Sequence, residues 1–256
     1  MRTSLIAVVL LCMTLALTSC GGDDETSVDE LLSEETTPIT FNLLKGTHFL
    51  FDYAGNHLVG ADTINIQYSN KESRSVDLRQ GKHRLLWMRG LDVANYDTAT
   101  GIVSKGSHFN PLPQYCFKDI EVTPYLMPAQ TLEYQPLCAL LQIVIFTDTD
   151  DYDISKTTVD FPCIKSVGLE DNRYTIDKNV TLYFGLSNDF DGRNYLYLIE
   201  QTLCPKDGLD DIELSCNIGS MTFKLPKISL RRGQVTEIEG SLRGNDIGDF
   251  SVSIHP

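Results

Sequence analysis

Apolar residues in this chain fall on alternate positions in short runs. In "THFLFDY", residues 47–53, Phe49, Phe51 and Tyr53 share one face, and His48, Leu50 and Asp52 share the other. "DTINIQYS" sets Ile64, Ile66 and Tyr68 against Asn65 and Gln67. "SVDLRQGKHRLLWM" carries Val76 and Leu78, breaks at Gly81 and resumes as a second apolar strand. A period of two with Gly, Asn and Asp at the breaks is the mark of short antiparallel strands. The pattern fades between Arg89 and Gln114, which reads as loops with at most one short strand, and returns in "YCFKDIEVTPY".

"LMPAQTLEYQP" then places two prolines around a polar stretch, which predicts a domain boundary near Pro128. Beyond it, strands are expected at Leu137–Phe146, Thr157–Gly168, Val180–Leu186, Tyr195–Leu203, Ile212–Ile218, Met221–Leu230, Val235–Leu242 and Phe250–Ile254. Such spacing, with turn residues between strands and no convincing amphipathic helix, predicts an all-β chain of two tandem β-sandwich domains, 39–128 and 129–256. Trp87, the only tryptophan, is expected in the first core, and "RRG" at 231–233 reads as a polar hairpin tip.

The start of the chain breaks this pattern. Arg2 is followed by an apolar run from Leu5 to Leu17, interrupted only by Cys12 and Thr14. Its length, about 13 residues, suits the core of a secretory signal and is too short for a spanning helix of about 20. "LTSC" at its end resembles a bacterial lipobox. That resemblance implies a signal peptide over 1–19, cleavage before Cys20, and lipidation of the Cys20 thiol and amine. The acidic, Thr- and Ser-rich stretch that follows is expected as a flexible tether over 20–38. It also resembles the acidic signal that displays lipoproteins on the outer leaflet. The expected location is therefore the outer membrane, through lipid, facing outward.

Composition narrows the function classes. The formal net charge of -14 argues against nucleic acid and against peripheral binding to anionic lipid. The five histidines are scattered, with no zinc-binding spacing, and no nucleophile elbow, phosphate loop or dinucleotide glycine pattern occurs. No metal, cofactor or enzyme activity is expected. The acidic loops "DTDDYD" (148–153) and "NDFDG" (188–192) lack the Gly and Glu positions of a calcium loop. Past Cys20 lie Cys116, Cys138, Cys163, Cys204 and Cys216, an odd number with no ligand spacing. They read as buried small hydrophobes, with Cys204–Cys216 the first candidate for a disulfide across a hairpin turning at "KDGLDD". Tyr96, Phe109, Tyr115, Tyr125 and Tyr134, in or beside loops, are the candidates for sugar stacking.

A lipobox and acidic tether come first, then a strand from Gly81 to Trp87, then a late "LRRGQVTEIEGSL" hairpin at 230–242. In this order the chain resembles the FimB-like fimbrial anchor and accessory lipoproteins of Bacteroidota, within the wider fimbrillin group. The resemblance implies two transthyretin-like sandwiches and a surface lipoprotein that anchors or accompanies a fimbrium in cell adhesion. It also implies joining to fimbrial subunits by strand complementation, a role open to an exposed groove or to the alternating C-terminal "DFSVSIHP". The alternative is a cell-surface polysaccharide-binding lipoprotein of a glycan-uptake system. "DTA" at 97–99 resembles a Bacteroides O-glycosylation site, with Thr98 as acceptor. Thr63 in "DTI" is expected at a buried strand start.

Overall fold

The structure, a computed structural model, describes residues 27–105, 113–148, 153–177, 179–188, 193–243 and 246–256. After one helical turn at Val28–Leu31 they are dominated by strands. The first two, β1 (Leu32–Ala54) and β2 (His57–Arg89), far exceed the usual length because each bends and changes partner. Leu32–Leu44 of β1 pairs with Gly81–Lys71 of β2. The rest of β1 is flanked by β2 on both sides, by Ile66–His57 and by Arg89–Arg84. The bends sit at Gly46 (φ 128°) and Gly81 (φ 141°), backbone angles that a side chain rarely adopts.

Each bend is braced in the same way. Two residues beyond the glycine, a histidine ring reaches back and donates from Nε2 to a carbonyl four residues upstream. His48 bonds Leu44 O and His83 bonds Arg79 O, both at 2.7 Å. "LKGTH" and "RQGKH" are thus one device written twice, and it lets a single strand turn a sandwich corner.

The first half continues through β3 (Tyr96–Asp97), β4 (Ile102–Ser104), β5 (Gln114–Val122), β6 (Gln130–Thr131) and β7 (Gln135–Pro136). β5 pairs with Gly81–Arg89. β6 lies parallel to Phe41–Asn42, and β7 lies antiparallel to Gln114–Tyr115. One short segment therefore forms both ends of the five-stranded sheet β6-β1-β2-β5-β7 and closes it around a core of Ile39, Phe41, Leu43, Leu85 and Trp87. Trp87 is fully buried against Phe41, with ring centroids 4.9 Å apart, as its singular size predicts.

The second half contains β8 (Cys138–Thr147), β9 (Thr157–Phe161), β10 (Ile164–Gly168), β11 (Tyr174–Ile176), β12 (Val180–Tyr183), β13 (Gly185–Asn188) and β14 (Asn194–Leu203). It ends with β15 (Leu209–Ile212), β16 (Ser215–Ile218), β17 (Met221–Lys224), β18 (Ile228–Leu230), β19 (Val235–Arg243), β20 (Asp246–Ile247) and β21 (Ser251–His255). Sheet β13-β14-β8-β19, with β20 and β21 on the far edge of β19, shares a core with sheet β12-β9-β16-β17. Four of the expected long strands prove to be pairs. Thr157–Gly168 divides at Pro162–Cys163, Val180–Leu186 at Phe184, Ile212–Ile218 at Glu213–Leu214, and Met221–Leu230 at Leu225–Lys227 around Pro226. In each pair the two pieces join different sheets, as corners of a sandwich require.

A third core joins the halves. Phe51, Leu86, Met88 and Val103 meet Leu137, Ile164, Val167 and Leu203 there, and β3-β4 continues directly into β10-β11. β1 is consequently buried on both faces. Leu50 enters the first core, Phe49, Phe51 and Tyr53 face the third, and the polar His48 and Asp52 are buried as well. The acidic stretch expected as tether through residue 38 is already strand from Leu32, because Leu32 and Thr37 are buried in the sheet.

Candidate functional site

β5 is bonded to β2 along its whole length on one side. On its other side, among the described residues, only Gln114 and Tyr115 are paired, with Pro136 and Gln135. Cys116–Val122 therefore offers an unfilled strand edge, the kind of surface that accepts another strand. Alternation sends Cys116, Ile120 and Val122 into the first core, and Tyr115 and Phe117 toward the third. Asp119 and Glu121 remain exposed. Acidic side chains on an open edge repel an identical edge and so oppose self-pairing.

A cleft of about 450 Å³ lies along this edge, between Cys116–Lys118, the segment Thr131–Gln135, and Leu169, Glu170 and Lys206 of the second half. Across Phe117, Leu169 and Glu170 it meets a cleft of about 330 Å³, which in turn meets one of about 480 Å³ at Gly55 and Arg84. Arg84 is central. Its guanidinium stands 4.6 Å from the Phe117 ring centroid and pairs with Glu170 across the junction of the halves. Arg173 pairs with Asp171 at 2.6 Å and donates to Thr100 O at 2.9 Å. The Arg173 backbone N–H, aided by its side chain, holds the Asp171 carboxyl below the ordinary carboxylate range. The Tyr53 and Tyr96 hydroxyls are 3.2 Å apart, and burial together with this bond raises Tyr96 far above a normal phenol.

Behind the clefts Arg232 locks the halves together. It donates to Cys204 O at 2.7 Å, to the Tyr115 hydroxyl at 2.9 Å and to Gly168 O at 3.2 Å. Tyr115 in turn donates to Leu169 O at 3.2 Å. Arg231 pairs with Asp210 at 2.6 Å, and Gly233 turns tightly against Pro136. The "RRG" expected as a polar hairpin tip is a turn between β18 and β19, but those strands join different sheets, and the Arg232 side chain reaches inward as a clasp. The reason is geometric, since only a planar fork reaches three acceptors on separate elements.

No protein-family profile matches the chain, and no curated protein matches it in sequence. Solved structures do match. The tip fimbrial protein Mfa3 from Porphyromonas gingivalis is 9% identical, with 86% of this chain and 99% of that one covered at a TM-score of 0.54. A fimbrial assembly protein from Parabacteroides distasonis is 9% identical over 86% and 99% of the two chains, with a TM-score of 0.53. A candidate cell-adhesion protein from Bacteroides uniformis is 10% identical over 87% and 98%, with a TM-score of 0.56. The chain has the fold of Bacteroidota fimbrial proteins.

Within this fimbrial fold the expected site residues scatter. Cys20 and Phe109 lie outside the described residues, as do 149–152 and 189–192 of the two acidic loops. Asp153 is engaged by Ser155 and Lys156, and no group of three or more metal-ligating side chains occurs among the described residues. Thr98 is half-buried in a turn that Asp97 fixes by accepting from Ala99 N and the Thr100 hydroxyl, whereas Thr63 is exposed. Tyr115 and Tyr134 serve packing, and Tyr125 is exposed.

Cys204 and Cys216 are both free thiols, as are Cys116, Cys138 and Cys163. The hairpin expected to bring Cys204 and Cys216 together does not form. "KDGLDD" leads into β15, which pairs with β18, while Cys216 lies in β16 between β9 and β17. Burial pushes Cys204 up to about 11 and Cys138 and Cys216 up to about 12, so these thiols are inert at neutral pH. The open β5 edge, the histidine braces and the Arg232 clasp were not anticipated from the sequence. The repeated G-x-H was the one available signal.

Proposed function

We propose that the chain is a lipid-anchored surface subunit, an anchor or accessory component of a fimbrium, held in the outer membrane by acyl chains on Cys20. The observation that carries the reading is the unfilled edge of β5 beside a cleft at the junction of the two halves. A strand from a fimbrial subunit would add there, exchanging backbone hydrogen bonds with Cys116–Val122 and placing alternate side chains in the cleft. Basic residues on its outward face would complement Asp119 and Glu121.

The chain's own donor is β21. It pairs with Val235–Glu239 as its alternation predicts, yet all five of its residues are exposed, so little apolar burial holds it in place. The likeness to fimbrial proteins supports this reading, as does the lipobox at the start. We extend it to two tandem sandwiches divided near residue 128, with Thr98 as an O-glycan acceptor. The test is co-purification. The full-length lipoprotein should bring down fimbrial subunits from membranes, and Cys20→Ser should release both from the outer membrane. Retention of fimbriae at normal length on cells lacking the protein would remove the anchor reading.

A further inference from the structure

We infer that Lys105 and Cys163 are the two ends of an oxidative cross-link, one oxygen atom bridging amine nitrogen and thiol sulfur, that fastens the first half of the chain to the second. This goes beyond the adhesive role and does not depend on it. Lys105 follows β4 and Cys163 precedes β10, at one end of the ladder that joins the halves. The Lys105 N–H donates to Lys165 O at 2.8 Å, and Cys163 O accepts from Asp177 N–H at 2.8 Å, so both backbones are pinned. Lys105 therefore stands opposite Lys165 and diagonal to Cys163, a spacing that a long side chain spans. Its Nζ lies 3.5 Å from the Cys163 sulfur and 3.0 Å from Glu200 Oε1.

Cys163 thus differs from the other buried thiols. Cys116 and Cys204 donate to backbone carbonyls at 3.5 and 3.6 Å. Cys163 turns its own proton toward Ile164 O at 3.9 Å and accepts from an ammonium on its other side. Thiols that react with oxidants sit beside a cation with a path to solvent. Here the sulfur is buried, and the Lys105 and Glu200 side chains, 29% and 20% exposed, form the path. It admits a molecule as small as a peroxide. An exported chain also lies outside the reach of the cytosolic thiol reductants.

The oxidant is a peroxide, and the atoms balance. Lys105 ammonium, Cys163 thiol and two hydrogen peroxides give the N–O–S bridge, three waters and one proton. The first peroxide breaks the S–H bond and leaves a sulfenic acid and water. The ammonium passes its extra proton to Glu200, which frees the nitrogen lone pair beside that oxygen. The second peroxide takes up the remaining two electrons as the N–O bond closes. Nitrogen and sulfur are each oxidised by two electrons, and each peroxide is reduced by two. The pinned backbones favour a bridge over a direct S–N bond, because one inserted atom spans much of the 3.5 Å gap.

The test is peptide mass mapping of the full-length lipoprotein in detergent, first reduced and then treated with hydrogen peroxide. A peptide pair joined through Lys105 and Cys163 should appear, heavier than the sum of its parts by one oxygen and lighter by two hydrogens. Dithiothreitol should return both peptides to their starting masses. Lys105→Arg keeps the positive charge beside Glu200 and removes the primary amine, so it should lose the joined pair entirely, as should Cys163→Ser. Glu200→Gln should slow its appearance at least about tenfold, since the proton acceptor is gone. The inference is overturned if Cys163 gains oxygen while the Lys105 peptide stays free, or if the pair lacks the inserted oxygen. A disulfide from Cys163 to another cysteine, or a joined pair that survives dithiothreitol, overturns it as well. Should Cys163→Ser unfold, Lys105→Arg decides by itself, because a joined Cys163 peptide in that variant would rule Lys105 out.

Discussion

His48 and His83 share a geometry and differ in charge. His83 has acceptors at both nitrogens, the Asp52 carboxylate at Nδ1 (2.7 Å) and Arg79 O at Nε2, so the ring is an imidazolium. Burial alone would lower its pKa, but the hydrogen bond and charge of Asp52 outweigh burial and raise it above 6.5. His48 meets the Tyr134 hydroxyl instead, at 2.6 Å, and burial lowers its pKa below 6.5. The pH dependences are therefore opposite. The stabilisation from His83 is complete below 6.5 and drains away as pH rises through its folded-state value. That from neutral His48 is complete above 6.5 and is lost as pH falls toward its own. Melting temperature plotted against pH should fall on both sides of a maximum, with His83→Gln flattening the alkaline limb and His48→Gln the acid limb.

Arg232 makes a second prediction at this scale. Replacing it with Ala leaves three acceptors on three elements unserved and should cost about 2–3 kcal/mol in urea unfolding, the range for a charged hydrogen-bonding group. Lys, a point charge, should recover less than half of that.

Among the elements, the two corners separate strain from crowding. Gly46 and Gly81 both have positive φ, but a Cβ at Gly46 meets nothing within 4 Å, while one at Gly81 falls 2.6 Å from Leu31 O. Gly46→Ala should therefore show strain alone, about 1–3 kcal/mol, and Gly81→Ala should melt at a distinctly lower temperature. Strand identity and the place of Trp87 were legible in the sequence, because alternation reports half-buried strands directly. Sheet membership was not. "VTLYFGLSN" alternates without a break from 180 to 188, yet β12 and β13 lie in different sheets. The alternation of "THFLFDY" predicts one wet face, but His48 and Asp52 are buried because tertiary partners, Tyr134 and His83, satisfy them. The β5 edge was illegible for a related reason. Pairing is a property of the neighbours, and β5 reads the same whether its far side is filled or empty.

At the scale of the whole molecule, three cores and a shared sheet tie the two halves together, and the free edge of β5, like that of His57–Ile66, has no partner strand among the described residues. The acidic pair on that edge should keep the protein monomeric. Asp119→Val with Glu121→Val should shift the purified chain toward dimers in size-exclusion chromatography, and elution unchanged from the parent would show that the edge is guarded some other way.

The corner at Gly81 also has a mechanical meaning. The Arg79 side chain donates to Ser33 O at 2.7 Å, to Leu32 O at 2.9 Å and to Asp29 at 3.1 Å, gripping the chain where it emerges toward its N-terminus. Tension arriving along that lead reaches this three-pronged rivet before it reaches the β1 ladder. The rivet is seated beside the His83 brace, so traction would be spread into two layers at once instead of peeling a single strand from its end.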